Sequence, residues 1–341
     1  MGKFVKRSCI YILLILFFSV FFSMLIDPYN IYHYKRIRVH SGESNTRYIK
    51  TKYILENPDK FDSFLFGSSR VGYIHTENLN TKENRWYNMT YANGLLPEIK
   101  ETIKTFIQNG IIPENIMIGI DAVDGANAKV HLDDLMRKPY PTTLMDTVKF
   151  HLSYLNPSIS FEALFTLEKE GNEDILRQQF YEYGGIYKTG NRNYNWDKVP
   201  VVKNELMTEK TAHIESTLQV VKEISLLCKE NKINLILFTT PLHVSAYFDS
   251  MDQGFLLFIK EAAKIHEIYC FSSINAINTN NENYWEEVHF DSKVGDLILE
   301  RIFKQEDFDD HLLSQGFGTL LNEDNAEEHY AFLINQYLEY R

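Results

Sequence analysis

The longest apolar stretch of the chain comes near its start. Residues 8–26 carry no charge over 19 positions, and as a helix rising 1.5 Å per residue they reach about 28 Å, roughly the hydrocarbon thickness of a bilayer. The run is longer than the apolar part of a signal peptide, and Phe21, Phe22 and Met24 stand where a small-residue cleavage site would lie. The pattern predicts an uncleaved transmembrane anchor. Lys3, Lys6 and Arg7 precede it, and Lys35, Arg36 and Arg38 follow. The crowding of basic residues in the short N-terminus, against Asp27 on the other side, predicts residues 1–7 in the cytoplasm and the bulk of the chain outside it.

Residues 27–60 are polar and tyrosine-rich and read as a stalk. Beyond them the hydrophobic period alternates between that of buried strands and that of amphipathic helices. Short apolar runs at 62–66, 86–89, 115–121, 233–238 and 268–271 read as strands. Between them, Ile99, Ile103, Phe106 and Ile107 share one helical face over 97–108, opened by Pro97 and closed by Gly110. Ile214, Leu218, Val221, Ile224 and Cys228 share another. Further helices are expected over 255–266 and 291–303. Strand, helix, strand at this spacing predicts right-handed parallel crossovers, hence a three-layer, doubly wound α/β domain over 61–305. The rhythm breaks over 122–210, which reads as an insertion leaving a strand's C-terminal end, the edge where open α/β sheets carry ligands. It holds His131, Pro139, Pro141 and the aromatics Tyr181, Tyr183, Tyr187, Tyr194 and Trp196, suited either to stacking on sugar rings or to packing the insertion onto the core. Residues 306–341 form an acidic tail with a helical face of Tyr330, Leu333, Ile334 and Tyr337.

With 44% hydrophobic residues among 341, the chain can fill a large core. A net charge of -11 and the absence of a basic stripe argue against nucleic acid as a partner. Of the cysteines, Cys9 lies in the apolar run, and Cys228 and Cys270 fall at buried helix and strand positions, so no disulfide is expected. No CxxC or HExxH spacing points to a metal, and nothing points to a cofactor.

The chemistry concentrates at two places. The first strand ends in Gly67-Ser68-Ser69-Arg70, which puts a hydroxyl at the start of a turn or helix, where free N-H groups favour developing negative charge. Gly-Ser-Ser is also ordinary turn chemistry. Far along the chain, Glu286-Glu287-Val288-His289 places an acid three residues before a histidine. A serine needs a base to become a nucleophile, and the base needs an acid to fix its tautomer, so Ser69, His289 and Glu286 are the candidate catalytic set. A solvated acidic loop is the plainer reading of the second stretch.

Taken together, Phe66-Gly67-Ser68-Ser69 after the first strand and Glu286-Glu287-Val288-His289-Phe290 before the last core helix resemble the SGNH/GDSL hydrolase superfamily, over roughly 62–305. Ser69 takes the position of the nucleophile, Ser68 replaces the usual aspartate, His289 matches the base and Glu286 the usual aspartate three residues before it. The N-terminal anchor and the Thr240-Pro241-Leu242-His243 turn are similar to membrane-tethered members, among them the alginate O-acetylation proteins and the D-alanine transfer protein of teichoic acid synthesis. The resemblance implies acyl transfer to, or ester hydrolysis on, a cell-envelope polysaccharide through an acyl-serine, with an acyl donor and envelope-synthesis proteins as partners. It also implies an oxyanion hole from the serine N-H, a glycine N-H after the second strand and an asparagine after the third. Gly94 suits the second role. Asp121 stands in the third and would repel an oxyanion, which leaves Asn88, Asn93 or Arg70 as other donors, or a catalytically silent scaffold. Arg70 and His243 are further candidates to contact substrate.

Overall fold

The computed structural model describes residues 2–33, 44–121, 134–165, 177–186, 194–305 and 308–340. Lys35, Arg36, Arg38, His131 and Tyr187 lie outside the described residues. The elements in chain order are α1 (Gly2–Ile26), α2 (Thr46–Glu56), β1 (Ser63–Phe66), β2 (Trp86–Asn88), α3 (Leu96–Gln108), β3 (Asn115–Ile120), α4 (Leu144–Ser153), α5 (Pro157–Phe165), α6 (Ala212–Glu230), β4 (Asn234–Thr239), α7 (Val244–Asp249), α8 (Phe255–Ala263), β5 (Ile268–Cys270), β6 (Tyr284–Glu286), β7 (His289–Phe290), α9 (Ser292–Phe303), α10 (Asp310–Ser314), β8 (Thr319–Leu321) and α11 (Ala326–Glu339).

A mixed α/β body is built on a six-stranded sheet in the order β2-β1-β3-β4-β5-β8. The first five strands run parallel, with Phe64 opposite Ile116 and Ile116 opposite Leu235, and β8 closes the edge antiparallel to β5. Because successive strand residues point to opposite faces, the apolar runs feed two cores. Phe64, Phe66, Ile116, Ile118, Leu235 and Leu237 pack with the inner faces of α3, α6 and α8. Leu65, Met117 and Phe238 pack with Val294, Ile298 and Ile302 of α9. Each fully buried side chain of this size contributes about 1.5–3 kcal/mol. Cys228 and Cys270 are buried thiols in α6 and β5, and burial pushes Cys270 up to about 11.

Two regions differ from the sequence expectation. The stretch read as a stalk carries α2, which buries Arg47 and Lys50 in the domain. Arg47 donates to the Glu98 carbonyl at 2.7 Å, and Lys50 Nζ donates to the carbonyls of Asn88 and Thr90 at 3.0 and 2.7 Å. The acidic tail is more than a helix, for β8 lies within it and Leu333 and Tyr337 of α11 join the core beside α8. Past Ser69 the chain forms a short 3-10 helix, Ser69–Tyr73, one form of the turn or helix expected there.

Helix α1 is long and apolar enough to cross a membrane, and most of it is exposed in the protein. The insertion carries α4 and α5, of which α5 packs against α1.

Candidate active site

The site forms where the strand order turns back on itself, between β1 and β3, at their C-terminal ends. Gly67 follows β1 with φ +154, and a Cβ there would lie 2.7 Å from the Val71 side chain and 3.0 Å from the Gly119 carbonyl. Only glycine fits a turn this close to the neighbouring strand. The turn sends Ser68 inward and begins the 3-10 helix at Ser69.

The partner of Ser69 arrives from the far end of the chain. β6 and β7 form a two-residue hairpin with Glu286 paired across from His289. Directly opposed hairpin residues hold their side chains close enough to interact, so the acid and the base meet through local backbone geometry. His289 Nδ1 is bonded to Glu286 Oε1, and His289 Nε2 lies 2.8 Å from Ser69 Oγ. Both His289 and Glu286 stay about a quarter exposed, 26% and 27%, so the pair is open to solvent. Val288 N-H donates to Glu286 Oε2 at 3.2 Å and holds the carboxylate in place. Asp291 then caps α9 through Lys293 N-H at 3.0 Å, fixing where the hairpin ends.

Asp121 sits 2% exposed at the end of β3. Its carboxylate accepts from Ser68 Oγ, accepts from Thr240 Oγ1 at 2.6 Å and pairs with Arg70 Nη1 at 3.4 Å. These contacts turn it toward the residues flanking Ser69, so it ties the Gly67–Ser69 turn to β3 and β4. Arg70 Nη1 is buried beside the same carboxylate as an ion pair, without a hydrogen bond of its own. Asn88 is also engaged: its amide donates to the carbonyls of Val71 and Ile74 at 2.8 and 3.1 Å and its carbonyl accepts from Thr90 N-H. Thr90 in turn donates to the Ser68 carbonyl at 2.6 Å. Asn93 is exposed, at φ 50 in the left-handed region. Gly94 presses on the Gly67–Ser69 turn, since a Cβ would lie 2.7 Å from the Gly67 carbonyl.

His243 has both ring nitrogens occupied, Nδ1 by Ser245 at 2.8 Å and Nε2 by Asn281 at 3.0 Å, and it caps α7. Burial pushes it below the usual histidine range. It is a structural joint beneath Trp196, whose ring lies 4.5 Å from it.

Tyr73 belongs to the site although no motif marked it. Its ring lies 5.6 Å from that of His289, and burial, with the Glu286 carboxylate adding to it, pushes its hydroxyl up to about 12. The available signal was its place one short helix beyond Ser69. The insertion reaches the same region twice, through Ile186 N-H donating to the Gly72 carbonyl at 2.7 Å and through Tyr194 bonding Glu287. Two of the aromatics suited to sugar stacking make contacts to α2 and β2 instead. Tyr181 lies edge-on to Tyr53, and Tyr183 gives its carbonyl to Asn88 N-H. Among the described residues no cluster of histidine, cysteine and carboxylates is placed to hold a metal.

Comparison of the chain with family models, curated proteins and solved structures finds no match. The functional reading therefore rests on the residues and their geometry.

Proposed function

We propose that the protein is a serine acyltransferase or esterase of the SGNH/GDSL kind, anchored by α1 with its α/β domain outside the cytoplasm and acting on a cell-envelope polysaccharide. The observation that carries this reading is the Ser69–His289 contact at 2.8 Å, with Glu286 on the other ring nitrogen. With Glu286 ionised and accepting from Nδ1-H, Nε2 is the acceptor for the serine proton. Ser69 Oγ attacks the acyl carbonyl and its proton passes to Nε2, which delivers it to the departing oxygen. A sugar hydroxyl or water then attacks the acyl-serine while His289 takes its proton, and His289 returns that proton to Ser69 Oγ as the acyl–serine bond breaks. The Ser69 and Gly94 N-H groups are the proposed oxyanion donors, because Asp121 and Asn88 are held by internal bonds and Arg70 is drawn toward Asp121 as an ion pair.

The test supplies 4-nitrophenyl acetate and follows both the nitrophenolate burst and the intact mass. A burst with one acetyl group on Ser69, discharged faster when a sugar polymer is added, supports acyl transfer. Discharge unchanged by the polymer points to hydrolysis. A second reading, a silent scaffold that binds glycan or assembles an envelope complex, is favoured by the missing asparagine donor at Asp121, and it gains if Ser69 is never acylated.

A further inference from the structure

We propose that the consecutive helices α4 and α5 lie in the membrane's interfacial layer and form a second, non-spanning membrane contact beside α1. The proposal rests on α1 being a membrane helix and is independent of the chemistry at Ser69.

Three observations carry it. First, the two helices turn large apolar side chains outward: Leu144 is 83% exposed, Leu152 60% and Phe165 73%, with Met145, Val148 and Phe161 also exposed. Leu144, Val148 and Leu152 recur at four-residue spacing and so share one face, while Phe150 and Tyr154 of the same segment are buried. Water is a poor neighbour for such a face.

Second, α5 packs against α1. The buried residues are small on the α5 side, Ser160 and Ala163, and on α1 they are Ser23 and Ile26, with Ser19 and Phe22 partly covered. Small residues let two helices approach closely within lipid. From Ser19 to Ile26 is about 10 Å along the axis. An element packed against the last 10 Å of a bilayer-length apolar helix shares its depth, which is that of interfacial helices. The bilayer is therefore the occupant of the outward face.

Third, an aromatic cluster sits where the headgroups would be. Just after α1, the Asp27 carboxylate accepts the N-H groups of Ile31, Tyr32 and His33, folding the chain back. Tyr32 donates to the His151 carbonyl at 2.8 Å, Tyr29 lies edge-on to Tyr154, and the Tyr48 ring tilts against Phe150. Tyrosines concentrate at this level in membrane proteins.

The test uses the full chain in vesicles of phosphatidylcholine with phosphatidylglycerol. Cys9→Ser removes the exposed native thiol, Cys228 and Cys270 being buried. Single nitroxide labels are placed by Leu152→Cys and Phe165→Cys, with Leu13→Cys as the lipid reference and Glu323→Cys as the water reference. Collision rates with oxygen and with a nickel chelate are then compared. At 152 and 165 the oxygen-to-nickel ratio is expected to rise several-fold above that at 323, toward the value at 13. A ratio equal to that at 323 with both reagents reaching the label would place the face in water and overturn the proposal. Protection from both reagents would also overturn it, because a second copy or another protein would then be the occupant.

Discussion

If Asp121 anchors the Gly67–Ser69 turn, removing its cation has a calculable cost. In Arg70→Met, a carboxylate that is 2% exposed loses a partner whose own side chain is 10% exposed. Breaking a buried pair from one side costs about 3–5 kcal/mol, because the surviving charge is left uncompensated. Asp121 keeps the Ser68 and Thr240 hydroxyls, which puts the cost at the lower end, about 3 kcal/mol. With a denaturant slope of about 3 kcal/mol/M, the upper end of the usual urea range, the midpoint falls by about 1 M. Tryptophan fluorescence of the full chain in detergent follows it, Trp86 being buried in the sheet. The double variant Arg70→Met/Asp121→Asn removes both charges and leaves a carbonyl for the hydroxyls, so its loss should fall well below the sum of the two single losses. Single losses that simply add, or an Arg70→Met midpoint within a few tenths of a molar of the parent, would refute the anchoring role.

Glu286→Gln keeps the shape of the hairpin but removes the charge that fixes the His289 tautomer, and acylation of Ser69 by 4-nitrophenyl acetate should slow by about 10³–10⁴-fold. Gly94→Ala drives a Cβ to 2.7 Å from the Gly67 carbonyl; it should cost about 1–3 kcal/mol by overpacking and slow Ser69 acylation while circular dichroism shows the fold intact. His329 is buried, and burial pushes it from 6.5 down to about 4. Between those values the unfolded chain holds the extra proton, so stability drops as pH falls from about 6.5 to 4, by up to about 3 kcal/mol. His329→Phe should flatten that part of the urea-midpoint profile, with His243 retaining its own acid-sensitive contribution.

The parallel strands and their crossover helices were legible because buried strands and one-sided helices repeat at different periods. Ser69, His289 and Glu286 were legible as residues because each sits at a marked place, a glycine turn or an acid-x-x-histidine. The hairpin that joins Glu286 to His289 was not, since Glu287-Val288 carries no strong turn residue. Lys50 and Arg47 read as solvated stalk residues, and only the carbonyls gathered around them explain their burial. The strand at 319–321 is too short to show a period. Asp121 could be seen to be wrong for an oxyanion donor, but its partnership with Ser68, Thr240 and Arg70 joins residues up to 119 positions apart and exists only in the fold.

The central claim, an activated Ser69, is tested most directly by a serine-directed fluorophosphonate on the full chain, read by intact mass and site mapping. The account predicts a single adduct on Ser69, absent in Ser69→Ala and lost in His289→Ala. No adduct on the folded protein, or labelling of Ser69 that survives His289→Ala, would contradict it.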